Sequence, residues 1–128
     1  MENLNIQGGE KTPSFNFNAS EGKIEITGRS WPEHALQVYE PAFKWLEEYF
    51  KNPATKTVVN LKMEYFNTSS SKVVLDILKK IDQLSLIGKD VEINWYYEYD
   101  DPDLKEHGNM IKSILKSQIN LIEVEEFK

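Results

Sequence analysis

Thr57-Val58-Val59-Asn60-Leu61-Lys62-Met63-Glu64-Tyr65-Phe66, followed at once by Asn67-Thr68-Ser69-Ser70-Ser71-Lys72, is where the chain declares its fold. Val59, Leu61, Met63 and Tyr65 alternate with Asn60, Lys62 and Glu64, the period of a half-buried strand. Beyond the hydroxyl run, Val74, Ile77, Leu78, Ile81 and Leu84 recur at spacings of three and four, an amphipathic helix stopped at Gly88. Strands that alternate with helices predict parallel crossovers. A parallel strand covered on both faces reads as continuously apolar. This one alternates, so the helices are expected on one face only.

The unit repeats toward the C-terminus. Val91, Ile93, Trp95, Tyr97 and Tyr99 alternate with Glu92, Asn94, Tyr96 and Glu98, and Asp101-Pro102 punctuates. Leu104, Met110, Ile111, Ile114 and Leu115 predict a third helix, weakened by Gly108, before a last strand over Ile119–Phe127. Toward the N-terminus, Ser14–Asn18 and Lys23–Thr27 alternate around Glu21-Gly22 and predict a hairpin. Pro32 and Glu33 suit the first turn of a helix whose apolar face is Leu36, Tyr39, Phe43, Leu46 and Phe50. Pro41 predicts a kink or restart near Tyr39-Glu40, and Asn52-Pro53 closes the helix. Residues 1–13, with Gly8-Gly9 and Pro13, read as a flexible lead, leaving 14–128 as one domain. The expected order is β-β-α-β-α-β-α-β, α/β, a mixed β-sheet with helices packed mainly on one face. That layout resembles the STAS-like domains.

Composition narrows the classes. A chain of 128 residues, 40% hydrophobic and 12% aromatic, can bury a core without staples. It has no cysteine, which excludes disulfides and thiol chemistry and fits a reducing cytoplasm. A formal net charge of −6 disfavours nucleic acid and suits protein partners. The start, MENLNIQGGEKTPS, has neither the basic nor the apolar region of a signal peptide. No apolar run reaches the roughly 18 residues of a membrane span.

The corner Glu64–Lys72, EYFNTSSSK, holds more hydroxyls than one helix cap uses. One reading is capping by Asn67, Thr68, Ser69 or Ser70. The other is modification: a phosphate at a helix N-terminus receives backbone N–H groups and favourable dipole energy, and Lys72 lies four residues beyond Thr68. Spacing does not choose the hydroxyl. The segment Glu98, Asp100, Asp101, Asp103 and Glu106 admits a solvated loop, a protein-binding surface, or a Mg²⁺ or Ca²⁺ site, although it lacks the central glycine of an EF-hand. A small metal-dependent hydrolase using the acidic loop 98–107 with His107 is the alternative class. His34 and His107 read as surface residues on different elements, and no phosphate loop, nucleophile elbow or HExxH pattern occurs. Tyr96, on the polar side of its strand, reads as a candidate binding anchor.

Three separated motifs in order, GRSWPEHALQVYEPAFKWLEEY, EYFNTSSSK and INWYYEYDDPDLKEHG, resemble the SiaC family of bacterial regulatory phosphoproteins, over about Gly28 to Gly108. The resemblance implies a STAS-like, non-catalytic protein without a cofactor that works by partner switching. A Ser/Thr protein kinase would phosphorylate Thr68, a PP2C-type phosphatase would remove the phosphate, and the unphosphorylated form would bind and activate an effector such as a diguanylate cyclase. Asn67, Ser69, Ser70, Ser71 and Lys72 would surround the phosphosite. Tyr65, Tyr96, Glu98, Asp100, Asp101, Asp103 and Glu106 would form the partner surface. Trp31, His34 and Leu104 stand where the family commonly has tyrosine, asparagine and methionine, which leaves the phosphosite intact and the partner open.

Overall fold

The computed structural model describes residues 1–127. Its elements run β1 (Leu4–Ile6), β2 (Ser14–Asn18), β3 (Lys23–Ser30), α1 (Ala35–Tyr49), β4 (Lys56–Phe66), α2 (Thr68–Asp82), a 3-10 turn (Gln83–Ile87), β5 (Asp90–Glu98), α3 (Pro102–Ile114) and β6 (Gln118–Val124). The strands form one sheet of six in the order β1-β2-β3-β4-β5-β6. β1, β2 and β3 pair antiparallel, and β3 through β6 pair parallel. The mixed sheet and three helices are as expected. The order gains a strand, because Leu4–Ile6 pairs with Phe15–Phe17 inside the expected flexible lead. Three residues are too few to show a period, but Trp45 Nε1 donates to the Glu2 carbonyl at 3.0 Å and ties this edge to α1.

The alternation places the core. Phe15, Phe17, Ile24, Ile26, Val59, Leu61, Met63, Ile93 and Trp95 are buried on one sheet face under Tyr39, Trp45, Leu46, Ile77, Leu78, Ile81 and Ile111 of the helices. The opposite face is polar. One cross-strand row on it runs through Asn5, Asn16, Glu25, Asn60, Asn94 and Asn120, a residue from every strand. Asn94 Nδ2 donates to Asn60 Oδ1 and Asn120 Nδ2 to Asn94 Oδ1, each at 2.9 Å, so side-chain amides reinforce the register of the parallel strands.

Six local expectations change. α1 begins at Ala35, after Pro32, so Leu36 is 70% exposed and the buried stripe runs through Ala35, Tyr39, Ala42, Trp45, Leu46 and Tyr49. α1 also continues through Pro41 without restarting. On β4 the pairing steps from Gly28↔Met63 to Arg29↔Tyr65, leaving Glu64 as an extra residue. Such a bulge reverses the side-chain phase. Tyr65 therefore turns out to 54% exposure, while Phe66 turns in, edge-on to Trp95 and His107 at centroid distances of 5.9 and 5.0 Å. His107 is thus half-buried rather than a surface histidine. Tyr99 lies beyond β5 and is 66% exposed. The last strand is Gln118–Val124 rather than Ile119–Phe127.

Burial holds the His107 imidazole below its ordinary value of 6.5. Between that value and the lowered one, the unfolded chain binds the proton and the folded chain does not, so stability is lost as pH falls through this window. Urea unfolding is expected to show a drop in midpoint on acidification below neutrality, and His107→Gln is expected to flatten that component. Identical pH slopes in the two proteins would remove His107 as its source.

Candidate functional site

At the β4–α2 corner each hydroxyl has a different task. Asn67, in extended conformation, is the cap: its Oδ1 accepts the Ser70 N–H at 3.0 Å. Its own backbone N–H donates to the Ser30 carbonyl at 2.9 Å and its Nδ2 to the Pro32 carbonyl at 3.4 Å, which fastens the cap to the end of β3. Ser69 Oγ donates to Asn67 Oδ1 at 3.3 Å. Ser71 Oγ donates to the Thr68 carbonyl at 2.8 Å. Ser70 is fully buried, and its Oγ accepts from Ser30 Oγ at 2.8 Å. Ser30 in turn accepts from Tyr39 Oη at 2.8 Å. Burial pushes the Tyr39 phenol up to about 12, opposed in part by the Ser30 hydrogen bond, so it stays a donor at neutral pH.

Thr68 is the exception. It is exposed, it is the first residue of α2, and among the described residues its hydroxyl makes no hydrogen bond. Helix starts leave N–H groups unpaired and carry the positive end of the dipole. Lys72 is exposed and has no carboxylate partner among the described residues. The corner therefore offers one unengaged hydroxyl, on an electropositive helix end, with a mobile-stemmed cation one turn away. Asn67→Ala is expected to cost about 1 kcal/mol of stability by urea unfolding, because the cap is here and not at Thr68.

The expected partner residues separate into groups. Tyr65 shares a hollow with Arg29, Trp31, Glu64 and Glu98, where Arg29 Nε meets Glu64 Oε2 at 2.7 Å. Tyr96 lies on the open face as expected, with the Lys62 ammonium 5.1 Å from its ring centroid, in an adjoining hollow lined also by Thr27 and Glu64. Asp103 and Glu106 instead line a hollow with Ser71, His107 and Met110, beside the first turn of α2. Asp101 caps α3, its Oδ1 accepting the Leu104 N–H at 3.0 Å, and Asp100 is exposed in the turn before it. Glu98 Oε2 accepts the Phe127 N–H at 3.3 Å. Among the described residues no group of three His, Asp or Glu side chains is placed to hold a metal ion. His34 caps the start of α1 without a side-chain bond, on a different element from His107. No helix of the described residues is long and apolar enough to cross a membrane.

The Ser30–Tyr39 contribution to the corner has no sequence signal of its own, since a serine ahead of Trp31-Pro32 reads equally as a cap. The Lys62–Tyr96 contact was within reach of a register argument, as both sit on the polar side of neighbouring strands.

Taken structurally, the chain is a mixed α/β domain, its six-stranded sheet covered by helices on one face, with the Thr68 hydroxyl over a helix start unengaged among the described residues. It belongs to the SiaC family of regulatory phosphoproteins, whose profile matches residues 6–124. An uncharacterized protein of Pseudomonas aeruginosa strain UCBPP-PA14 is 28% identical over 98 residues, 77% of this chain and 78% of that one. The fold matches apo-SiaC of P. aeruginosa with a TM-score of 0.86 at 24% identity, over 95% of this chain and 99% of that one. It also matches SiaC in a complex with the diguanylate cyclase SiaD of P. aeruginosa, described there as its activator, with a TM-score of 0.87 at 22% identity over 94% and 99% of the chains.

Proposed function

We propose that this chain is a non-catalytic, cytoplasmic switch protein of STAS-like fold, phosphorylated reversibly on Thr68 by a Ser/Thr kinase and restored by a PP2C-type phosphatase. The unphosphorylated form binds and activates an effector, a diguanylate cyclase by analogy with the SiaD complex. The observation that carries this reading is the division of labour at the corner: Asn67, Ser69, Ser70 and Ser71 are engaged in local bonds, and Thr68 is exposed and, among the described residues, unengaged. Family membership supports a phosphoprotein.

The chemistry asks little of the protein itself. The Thr68 hydroxyl gives its proton to a base on the kinase as Oγ1 attacks the γ-phosphorus of a bound nucleoside triphosphate. The new P–O bond forms while the bond to the departing diphosphate breaks. Water on the phosphatase reverses this and releases inorganic phosphate. What this chain contributes is a hydroxyl with no bond to surrender, and a helix start and Lys72 that stabilise the phosphate once present. Adding about two negative charges then changes the corner's recognition by a partner.

Phosphosite mapping by mass spectrometry on protein purified from its own host, under several growth conditions, tests the reading. Phosphate on Thr68 that rises and falls supports it. No phosphate anywhere in Asn67–Ser71 would return the corner to helix capping. Thr68→Glu is expected to reproduce the phosphorylated state only weakly, because a carboxylate carries less charge and fewer acceptors. In a pull-down with the effector it should bind less than the free form and more than the phosphorylated one. Binding equal to wild type would mean that phosphate here is not what the partner senses.

A further inference from the structure

Three elements meet in one buried line of hydroxyls next to the proposed phosphosite. Tyr39 from α1 donates to Ser30 at the end of β3, and Ser30 donates to Ser70 in the first turn of α2, both at 2.8 Å. All three side chains have no measurable exposure. Hydroxyls so placed must be paired, since an unpaired buried polar group is costly. None of the buried side-chain nitrogens and oxygens among the described residues lacks a partner. The core around the line is apolar: Phe15 meets Tyr39 edge-on at 5.4 Å, and Val73, Val74 and Ile77 follow Ser70 along α2.

A packing role alone would be served by alanine and phenylalanine at these positions. The hydroxyls do something more specific to the corner. Ser70 lies two residues from Thr68 on the same turn, and a kinase that reads this corner meets several similar hydroxyls. The backbone of Ser70 is already held by the Asn67 cap. The line of hydroxyls holds its side chain as well, pointing inward, so that the turn has one fixed rotational setting. In that setting Thr68 faces solvent and Ser70 does not.

We propose that Ser30 and Tyr39 are specificity-determining residues for the phosphorylation proposed above: through Ser70 they lock the first turn of α2 and confine phosphoryl transfer to Thr68. This rests on Thr68 being the acceptor. Without the lock the first turn of α2 opens locally, as weakly held helix ends do. Ser70 then reaches the surface, and Ser69, held only by its 3.3 Å bond to the cap, gains freedom with it.

The test compares wild type, Tyr39→Phe and Ser30→Ala, each purified from the native host with its own kinase present and each mapped for phosphate residue by residue. Tyr39→Phe keeps the ring packing and removes only the first donor, so it remains informative if Ser30→Ala fails to fold. Circular dichroism establishes that the compared variants are folded. In wild type, phosphate on Ser69 and Ser70 together should stay below about one-hundredth of that on Thr68. In a folded variant this ratio should rise at least tenfold. A folded Tyr39→Phe protein with phosphate confined to Thr68, as in wild type, overturns the inference while leaving the Thr68 reading in place. Wild-type protein with no phosphate on Thr68 overturns that reading, and this inference with it.

Discussion

Thr68→Ala, expressed in the native host, is expected to carry no phosphate in the segment Asn67–Ser71 while unfolding in urea within about 0.5 kcal/mol of wild type. The two halves of that expectation come from one geometry. Thr68 occupies the first position of α2 rather than the cap, and its hydroxyl has no partner among the described residues, so truncation removes no bond and opens no cavity. Alanine is moreover the better helix former. Had Thr68 been the cap, the same change would have cost about 1 kcal/mol, a loss now expected at Asn67 instead. Ser69 and Ser71 keep their local bonds in the mutant, and Ser70 stays buried, so no neighbouring hydroxyl is freed to substitute. Under the proposed switch this variant holds the effector permanently in its activated state. A stable Thr68→Ala protein that still carries phosphate on Ser69 would move the acceptor by one residue. A protein that loses 1 kcal/mol or more would restore a structural role for the Thr68 side chain.

That contrast shows where the sequence was sufficient. The strand Thr57–Phe66 and its alternation settled the sheet, its covered face and the crossovers, because a period of two along a parallel strand has one physical explanation. It also placed the hydroxyl run at a helix start. It did not rank the hydroxyls, because rank depends on what lies behind each one. Ser70 is withdrawn by Ser30 and Tyr39, which are 40 and 31 residues away in the chain and 2.8 Å away, link by link, in space. Tyr65 failed for a similar reason. Its place in the alternation was right up to the bulge at Glu64, and an inserted residue leaves no mark on a pattern of types. A signal for register was present and unused: Val59-Asn60-Leu61, Ile93-Asn94-Trp95 and Ile119-Asn120-Leu121 share one pattern and pair in that register. Asparagine on the open face of three neighbouring strands is a ladder whose amides can bond only when aligned.

Gly108 reads as a weak point in α3, yet in the structure the helix packs tightly against the sheet there. A Cβ at this position would lie 2.6 Å from Leu121 Cδ2 and 2.7 Å from Trp95 Cδ1. Trp95 is only 2% exposed, and its Nε1 donates to the Leu104 carbonyl at 3.0 Å, so the indole cannot retreat. Gly108→Ala is therefore expected to destabilise. Overpacking costs about 3 kcal/mol at the upper end of its usual range, against about 1 kcal/mol gained in helix propensity, leaving a net loss of about 2 kcal/mol. Trp95→Ala alone is expected to lose about 3–5 kcal/mol through the lost ring and the cavity it leaves. The combination decides the cause. With the indole gone, the added methyl still meets Leu121 Cδ2, but that flexible side-chain end can turn into the vacated space, so Gly108→Ala should lose most of its destabilising effect and approach neutral. Urea midpoints of the four proteins in this cycle measure the coupling. A loss of about 2 kcal/mol in both backgrounds would place the strain somewhere other than the contact with Trp95. A gain in both would mean that α3 can shift away from the sheet at little cost, and the hollow shared by Ser71, Asp103 and Glu106 would then be free to change shape as partners bind.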